Sequence, residues 1–253
     1  MLTNQLALIT GSDIPFVEAG VIIHQPTIKE IGLLGEDNFF LGCGFLYFSK
    51  DLLNEKDKVH LENIDDFNIL MTIMINRNGE KDLNKHIDCA IQVIYLLFPL
   101  YKIELNEQAI LLKKDDQIFE INKKNFGTFK AILKEMFNLS FKNEKVQKEY
   151  DPVNDAAAAI AEKLKKRHKE LAERSGGKGE IKIFGRMISI ISVYSKISYL
   201  ELSQYTIYQL YDAFSRVQLK MAYDIAIKAR LAGAKDVKDP EDWTKDLYNN
   251  ENK

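Results

Sequence analysis

The stretch KIELNEQAILLKKDDQIFEIN, residues 102–122, decides the fold class. Three short apolar runs, Lys102 to Leu105, Ala109 to Lys113 and Gln117 to Ile121, are split by Asn106-Glu107 and Asp115-Asp116. Runs of that length, separated by turn residues, predict a β-meander or hairpin. On both sides the period is helical. Leu83 to Phe98 reads as a long helix closed by Pro99. Asn125 to Asn138 returns to helix, with Phe126, Phe129, Ile132, Leu133 and Phe137 on one side.

Working outward toward the N-terminus, Asp65 to Asn76 carries Phe67, Leu70, Met71 and Met74 at helical spacing, with Asn63 or Asp65 placed to cap it. Asn76-Arg77-Asn78-Gly79 is a turn signal. Asn38 to Leu53 is strongly aromatic, and Gly42 and Gly44 argue against one straight helix there. Pro26-Thr27-Ile28-Lys29-Glu30-Ile31 reads as a helix start with proline in the first turn, and Gly35 ends that helix. Val17 to His24 reads as a strand or extended arm.

Toward the C-terminus, residues 141–150 are polar and charged and read as a linker. Asp151-Pro152 then starts a helix as a cap followed by proline at the first helical position. It runs through AAAAIAEKLKKRHKELAE and breaks at Ser175-Gly176-Gly177-Lys178-Gly179. Glu180 to Ser195 and Gln204 to Leu231 follow as helices, and Gly233 caps the last. The expected architecture is mainly α with a small β unit: an α+β N-terminal domain over 1–140, a linker over 141–150, a helical C-terminal domain over 151–248 and a frayed tail over 249–253.

Composition excludes several classes. The chain has 253 residues, 46% of them hydrophobic, and a formal net charge of −2. That is an ordinary globular balance, and it lacks the basic excess with which nucleic-acid binders track phosphates. The N-terminal MLTNQLALITGSD lacks a basic start followed by an apolar core, and no run reaches the roughly 18 apolar residues of a membrane helix. The expectation is a soluble protein, with no membrane or nucleic-acid partner. Cys43 and Cys89 stand far apart without a CxxC and read as small buried hydrophobes.

No motif carries chemistry. Histidines 24, 60, 86 and 168 are isolated, with no HExxH and no cysteine at metal spacing. Gly177-Lys178 is followed by Gly179 rather than Ser or Thr, so the phosphate-loop fingerprint is absent. The basic run from Lys163 to Arg174 has six cations against Glu162, Glu170 and Glu173, and it lacks aromatics to stack on bases. It reads as a solvated helix face. Asp65-Asp66, Asp115-Asp116 and Glu241-Asp242 fall at helix starts or turns, where carboxylates cap and shape. The chain is therefore expected to be non-enzymatic, without metal or cofactor.

The last long helix is the informative one. Ile207, Leu210, Tyr211, Phe214, Val217, Leu219, Met221, Tyr223, Ile225 and Ile227 cover more than half its circumference. Such a helix is either central to a bundle or partly reserved for a partner. For the second reading, the aromatic and arginine anchors Tyr208, Tyr211, Phe214 and Arg216 are the candidate partner-binding residues.

Structural residues also carry a resemblance. Tyr150-Asp151-Pro152-x-Asn154-x-Ala156 and Ile160-Ala161-Glu162-Lys163-Leu164-Lys165-Lys166 resemble proteins from tailed phages and prophages of low-GC Gram-positive bacteria. So do Thr206-x-Tyr208-Gln209-Leu210-Tyr211-Asp212-x-Phe214-x-Arg216, Tyr223-Asp224, Leu231-Ala232-Gly233-Ala234-Lys235 and Trp243, together with the N-terminal Pro26 to Glu36 pattern. Within that group the chain is similar to tail assembly chaperones. The resemblance implies a protein of the host cytoplasm that binds the tape measure or another tail protein, with homo-oligomerisation possible. It leaves open a structural minor tail or baseplate protein, and a phage protein that inhibits or is sensed by a bacterial defence system.

Overall fold

The structure, a computed structural model, describes residues 4–49, 64–77, 81–137, 183–234, 239 and 242–244. In chain order its elements are α1 (Gln5–Thr10), β1 (Ile14–Phe16), a 3-10 turn (Val17–Ala19), β2 (Val21–Ile23), α2 (Ile28–Leu34), α3 (Glu36–Leu46), α4 (Asp66–Ile75) and α5 (Lys81–Leu97). The meander β3 (Lys102–Asn106), β4 (Ala109–Lys114) and β5 (Gln117–Asn122) follows. Then come α6 (Phe126–Phe137), α7 (Ile183–Ser195), α8 (Tyr199–Leu202) and α9 (Ile207–Leu231). The fold is mainly α, with small antiparallel sheets in the N-terminal part and helices in the C-terminal part.

The meander forms where the sequence places it. Its turns are set by short polar side chains. Asn106 Oδ1 accepts from the backbone N–H of Gln108 and Ala109, and Asp115 takes the positive φ of 52° that the second hairpin requires. The register pairs Ile103 with Leu112 and Ile110 with Ile121, so these apolar residues share one face and are buried. On the other face Glu104 is ion-paired by Lys102 and Lys113. Helix α4 packs on β3 and α6 on β5. The aromatic core runs through α6, where the Phe129 ring lies about 6 Å from those of Phe16, Phe98 and Phe126.

Three local expectations change. Val17 to His24 is not one strand: β1 and β2 pair as a hairpin around the 3-10 turn, closed by Gly20 at a φ of 69°. Pro26 lies before the cap of α2 rather than inside its first turn, because Thr27 is the N-cap. Helix α3 runs unbroken through both glycines, and Gly42 is there to be approached. A Cβ on it would stand 2.7 Å from both Cys89 C and Val93 Cγ2, and nearer still to the Cys89 carbonyl oxygen. The missing side chain lets α3 and α5 pack closely. Helices α1 and α8, too short to show a period, were not legible.

The described C-terminal helices do not stand apart from the N-terminal part. Met1–Leu139 and Met187–Lys253 group as one compact unit, and Ser140–Arg186 as a second, whose described residues are the first turn of α7. The division expected between 1–140 and 151–248 is replaced here by a backbone seam. Thr27 and Thr206 form an antiparallel bridge, and Tyr205 and Ser203 carbonyls accept from the N–H of Ile28 and Lys29 at 2.8 Å. Gln209 Nε2 adds a bond to the Ile9 carbonyl. Main-chain bonds of this kind leave no trace in composition. The expected linker at 141–150, the helix from Asp151, the Ser175–Gly179 break and the tail at 249–253 lie outside the described residues.

Both strands of that seam are helix caps. Thr27–Glu30 and Thr206–Gln209 are reciprocal capping boxes. Glu30 also faces His24 Nε2 at 3.3 Å. Partial burial opposes ionisation of the Glu30 carboxyl, but the Thr27 N–H and hydroxyl outweigh it, with help from the His24 ring, and hold its pKa below the ordinary 4.5. A lowered folded pKa means that this contribution is complete above about 4.5 and is lost as pH falls through the lowered value. Thr27→Ala is expected to cost about 1 kcal/mol at neutral pH, the usual loss for a threonine cap. Urea unfolding at neutral and acid pH checks it: the gap between variant and parent should narrow in acid, and a constant gap would contradict the coupling.

Candidate protein-binding surface

The surface is built from α7, α8 and α9. Helix α8 is started by a Ser198–Glu201 capping box, and α9 by Thr206 with Gln209 three residues on. Along α9, Ile207, Leu210, Phe214, Val217, Met221 and Ile225 follow spacings of three and four, so they form one stripe. The first part of that stripe is core. Ile207, Leu210 and Val217 are buried, and the helix packs on α1 and α6. Beyond Val217 no residue of α9 is buried: Met221 is 40% exposed and Ile225 64%. The apolar stripe thus continues past the body that covers its beginning. Val193 on α7 and Leu200 on α8 are exposed as well.

The four residues proposed from the sequence divide. Tyr208 is only 4% exposed and belongs to the core, so as folded it offers no surface to a partner. Its position near the seam, next to the buried Ile207, decides this; aromatic type and spacing do not. Tyr211 and Phe214 are half-buried. Burial, and then the negative charge of Glu36, push the Tyr211 phenol above its ordinary range. Arg216 is half-buried, lies 3.7 Å from Asp212 Oδ1 and donates to the Trp243 carbonyl at 3.1 Å. Met221 and Ile225, counted in the apolar excess of this helix, were not among the four anchors. The signal was present in their spacing, but nothing local says where the supporting body stops.

Beside that stripe, α9 carries charge. Lys220 pairs with Asp224 one turn on, and the Tyr194 hydroxyl donates to Asp224 Oδ2 at 3.2 Å. The Lys220 hydrogen bond holds the Asp224 carboxyl below its ordinary range, and the same bond raises the Lys220 ammonium. Lys220 Nζ also sits over the Tyr223 and Trp243 rings, at 5.7 and 5.5 Å from their centroids.

Elsewhere, an apolar cleft of about 340 Å³ lies between α2 and α5, lined by Leu33, Leu34, Tyr95 and Leu96 with Glu30 and Gln92. A more polar one of about 480 Å³ at the start of α5 includes Asn38, Lys85, Asp88 and Cys89. Both cysteines are buried, and burial pushes their thiols up, which disfavours the nucleophilic thiolate. Among the described residues no group of three or more His, Cys, Asp or Glu is placed to hold a metal. No described helix is long and apolar enough to cross a membrane.

Residues 182–248, about a quarter of the chain, match the family model described as YomV second domain. That family is phage-derived, YomV being a protein of the Bacillus phage SPbeta region. The matched stretch contains all of α7, α8 and α9 and reaches past Trp243. No curated protein and no solved structure matches the chain.

Proposed function

We propose that the chain is a non-enzymatic phage protein that binds another protein, and that it serves as a tail assembly chaperone holding the tape measure or another tail protein through apolar helical surface. The observation that carries the reading is the stripe of α9, which is core as far as Val217 and solvent-facing at Met221 and Ile225. A stripe of that kind is completed by a second amphipathic helix laid along it, the helix-in-groove mode of recognition. A tape measure supplies long helical segments of that type until the tube encloses them. The phage-derived family matched by residues 182–248 fits the same setting.

The test has two arms. Capture from infected cells with the tagged chain should recover the tape measure or another tail protein, and purified virions should lack the chain. Stoichiometric presence in virions would make it a structural tail component instead. Ile225→Asp and Met221→Asp should fold as the parent does and lose the captured partner at least tenfold, since a buried charge in the joint seam has no compensation. Full capture by both folded variants would remove this stripe as the contact.

A further inference from the structure

Helix α9 has a second face, and the chain itself covers it. Arg216, Lys220, Tyr223 and Arg230 recur at spacings of four, three and seven, which aligns them on one side of the helix, away from Met221 and Ile225. After α9 the chain turns at Gly233, whose φ is 88°. Asp239 and Trp243, further along the chain, meet this face in reverse order. Asp239 pairs with Arg230. Four residues later Trp243 lies with its ring over Lys220 and its carbonyl on Arg216. Ten helical residues from 230 to 220 rise about 15 Å. The four residues separating Asp239 from Trp243 can reach at most about 13 Å, enough to cover most of that rise.

The contacts are chemically selective and lightly held. The face offers two guanidinium groups, an ammonium and a phenol, with Asp212 beside Arg216 and Asp224 paired to Lys220 on the same helix. The segment at 237–246, VKDPEDWTKD, brings four acidic groups against two basic ones, and one indole. Asp242 is spent internally, accepting from the Thr244 N–H and hydroxyl. The Asp239 side chain remains 93% exposed although paired, and Trp243 is 37% exposed. Exposed ion pairs contribute little and are screened by salt. What keeps such a segment in place is its high local concentration on a short tether.

We propose that this cationic and aromatic face of α9 is a docking site for an acidic, aromatic-bearing segment of another protein, and that the chain's own Asp239 and Trp243 occupy it until such a segment displaces them. The site is separate from the Met221 and Ile225 stripe, and it stands whether or not the partner there is a tail protein.

The experiment uses the full chain and a fluorescent peptide with the sequence of residues 237–246. The peptide should bind a Trp243→Ala chain at least tenfold more tightly than the parent, because the competing segment has lost its anchor. Adding Lys220→Glu to that variant should abolish binding. Equal affinity for parent and Trp243→Ala, or indifference to Lys220→Glu, overturns the proposal. A second measurement does not depend on those variants folding. Trp243 is the single tryptophan of the chain. Saturating the parent with the same peptide carrying tyrosine in place of tryptophan should therefore shift its emission to the red. An unchanged spectrum at saturation rejects displacement. Light scattering that shows the parent dimerising, with the emission shifting to the blue as it does so, assigns the face to a second copy of the chain and rejects the partner segment.

Discussion

Phe129→Ala is expected to lower the unfolding free energy by about 3–5 kcal/mol, the range for removing a buried phenylalanine from a core that relaxes only partly. The ring is fully buried and lies against Phe16 of β1, Phe98 after α5 and Phe126 of its own helix. It therefore joins the first hairpin, the end of α5 and α6, and a cavity there loosens several elements together. For a chain of this size the melting temperature should fall by roughly 6–20 °C. Thermal unfolding followed by circular dichroism measures it. Ile118→Ala on the open face of β5 is the control, with a change of about 0.5 kcal/mol or less. A Phe129→Ala loss no larger than that of Ile118→Ala would mean that this aromatic cluster does not hold the core together.

The second large effect comes from two glycines of α3 with opposite signs. Gly42→Val should destabilise by about 3 kcal/mol, near the upper end of what overpacking costs. The obstacle is the α5 main chain at Cys89 together with the Val93 methyl, and a backbone carbonyl cannot swing aside as a flexible side chain does. Gly44→Ala meets nothing within 4 Å and should stabilise by about 0.5–1 kcal/mol, because alanine loses less backbone entropy in a helix. Paired urea titrations decide the matter. If Gly42→Val were as stable as the parent, α3 and α5 would not be in the close contact described.

Local reading succeeded where a residue's own neighbours in sequence decide the outcome. The meander at 102–122 was legible because period, length and turn residues all act over fewer than ten positions. Helix α4 and its Asp65 cap were legible for the same reason, as was the run of α6 from Phe126. The reading of α3 failed because glycine carries two meanings. Its low helix propensity suggested a break, and only the neighbouring helix shows that Gly42 is a point of close approach. The candidate surface was half legible. The excess of apolar residues on α9 does leave apolar side chains exposed, but Tyr208 is core, and Met221 and Ile225 carry the exposed stripe.

By itself, then, the sequence determined the period of each long element, its caps and turns, and the absence of any recognised catalytic motif. These depend on the chain's local stereochemistry and on side chains a few residues apart. Only the tertiary structure decided which helices share a core. The bridge between Thr27 and Thr206 joins the first and last parts of the chain through main-chain groups that every residue carries, so no residue type announces it. The packing of α9 on α1 and α6 likewise decides which part of one continuous apolar stripe is core and which is exposed.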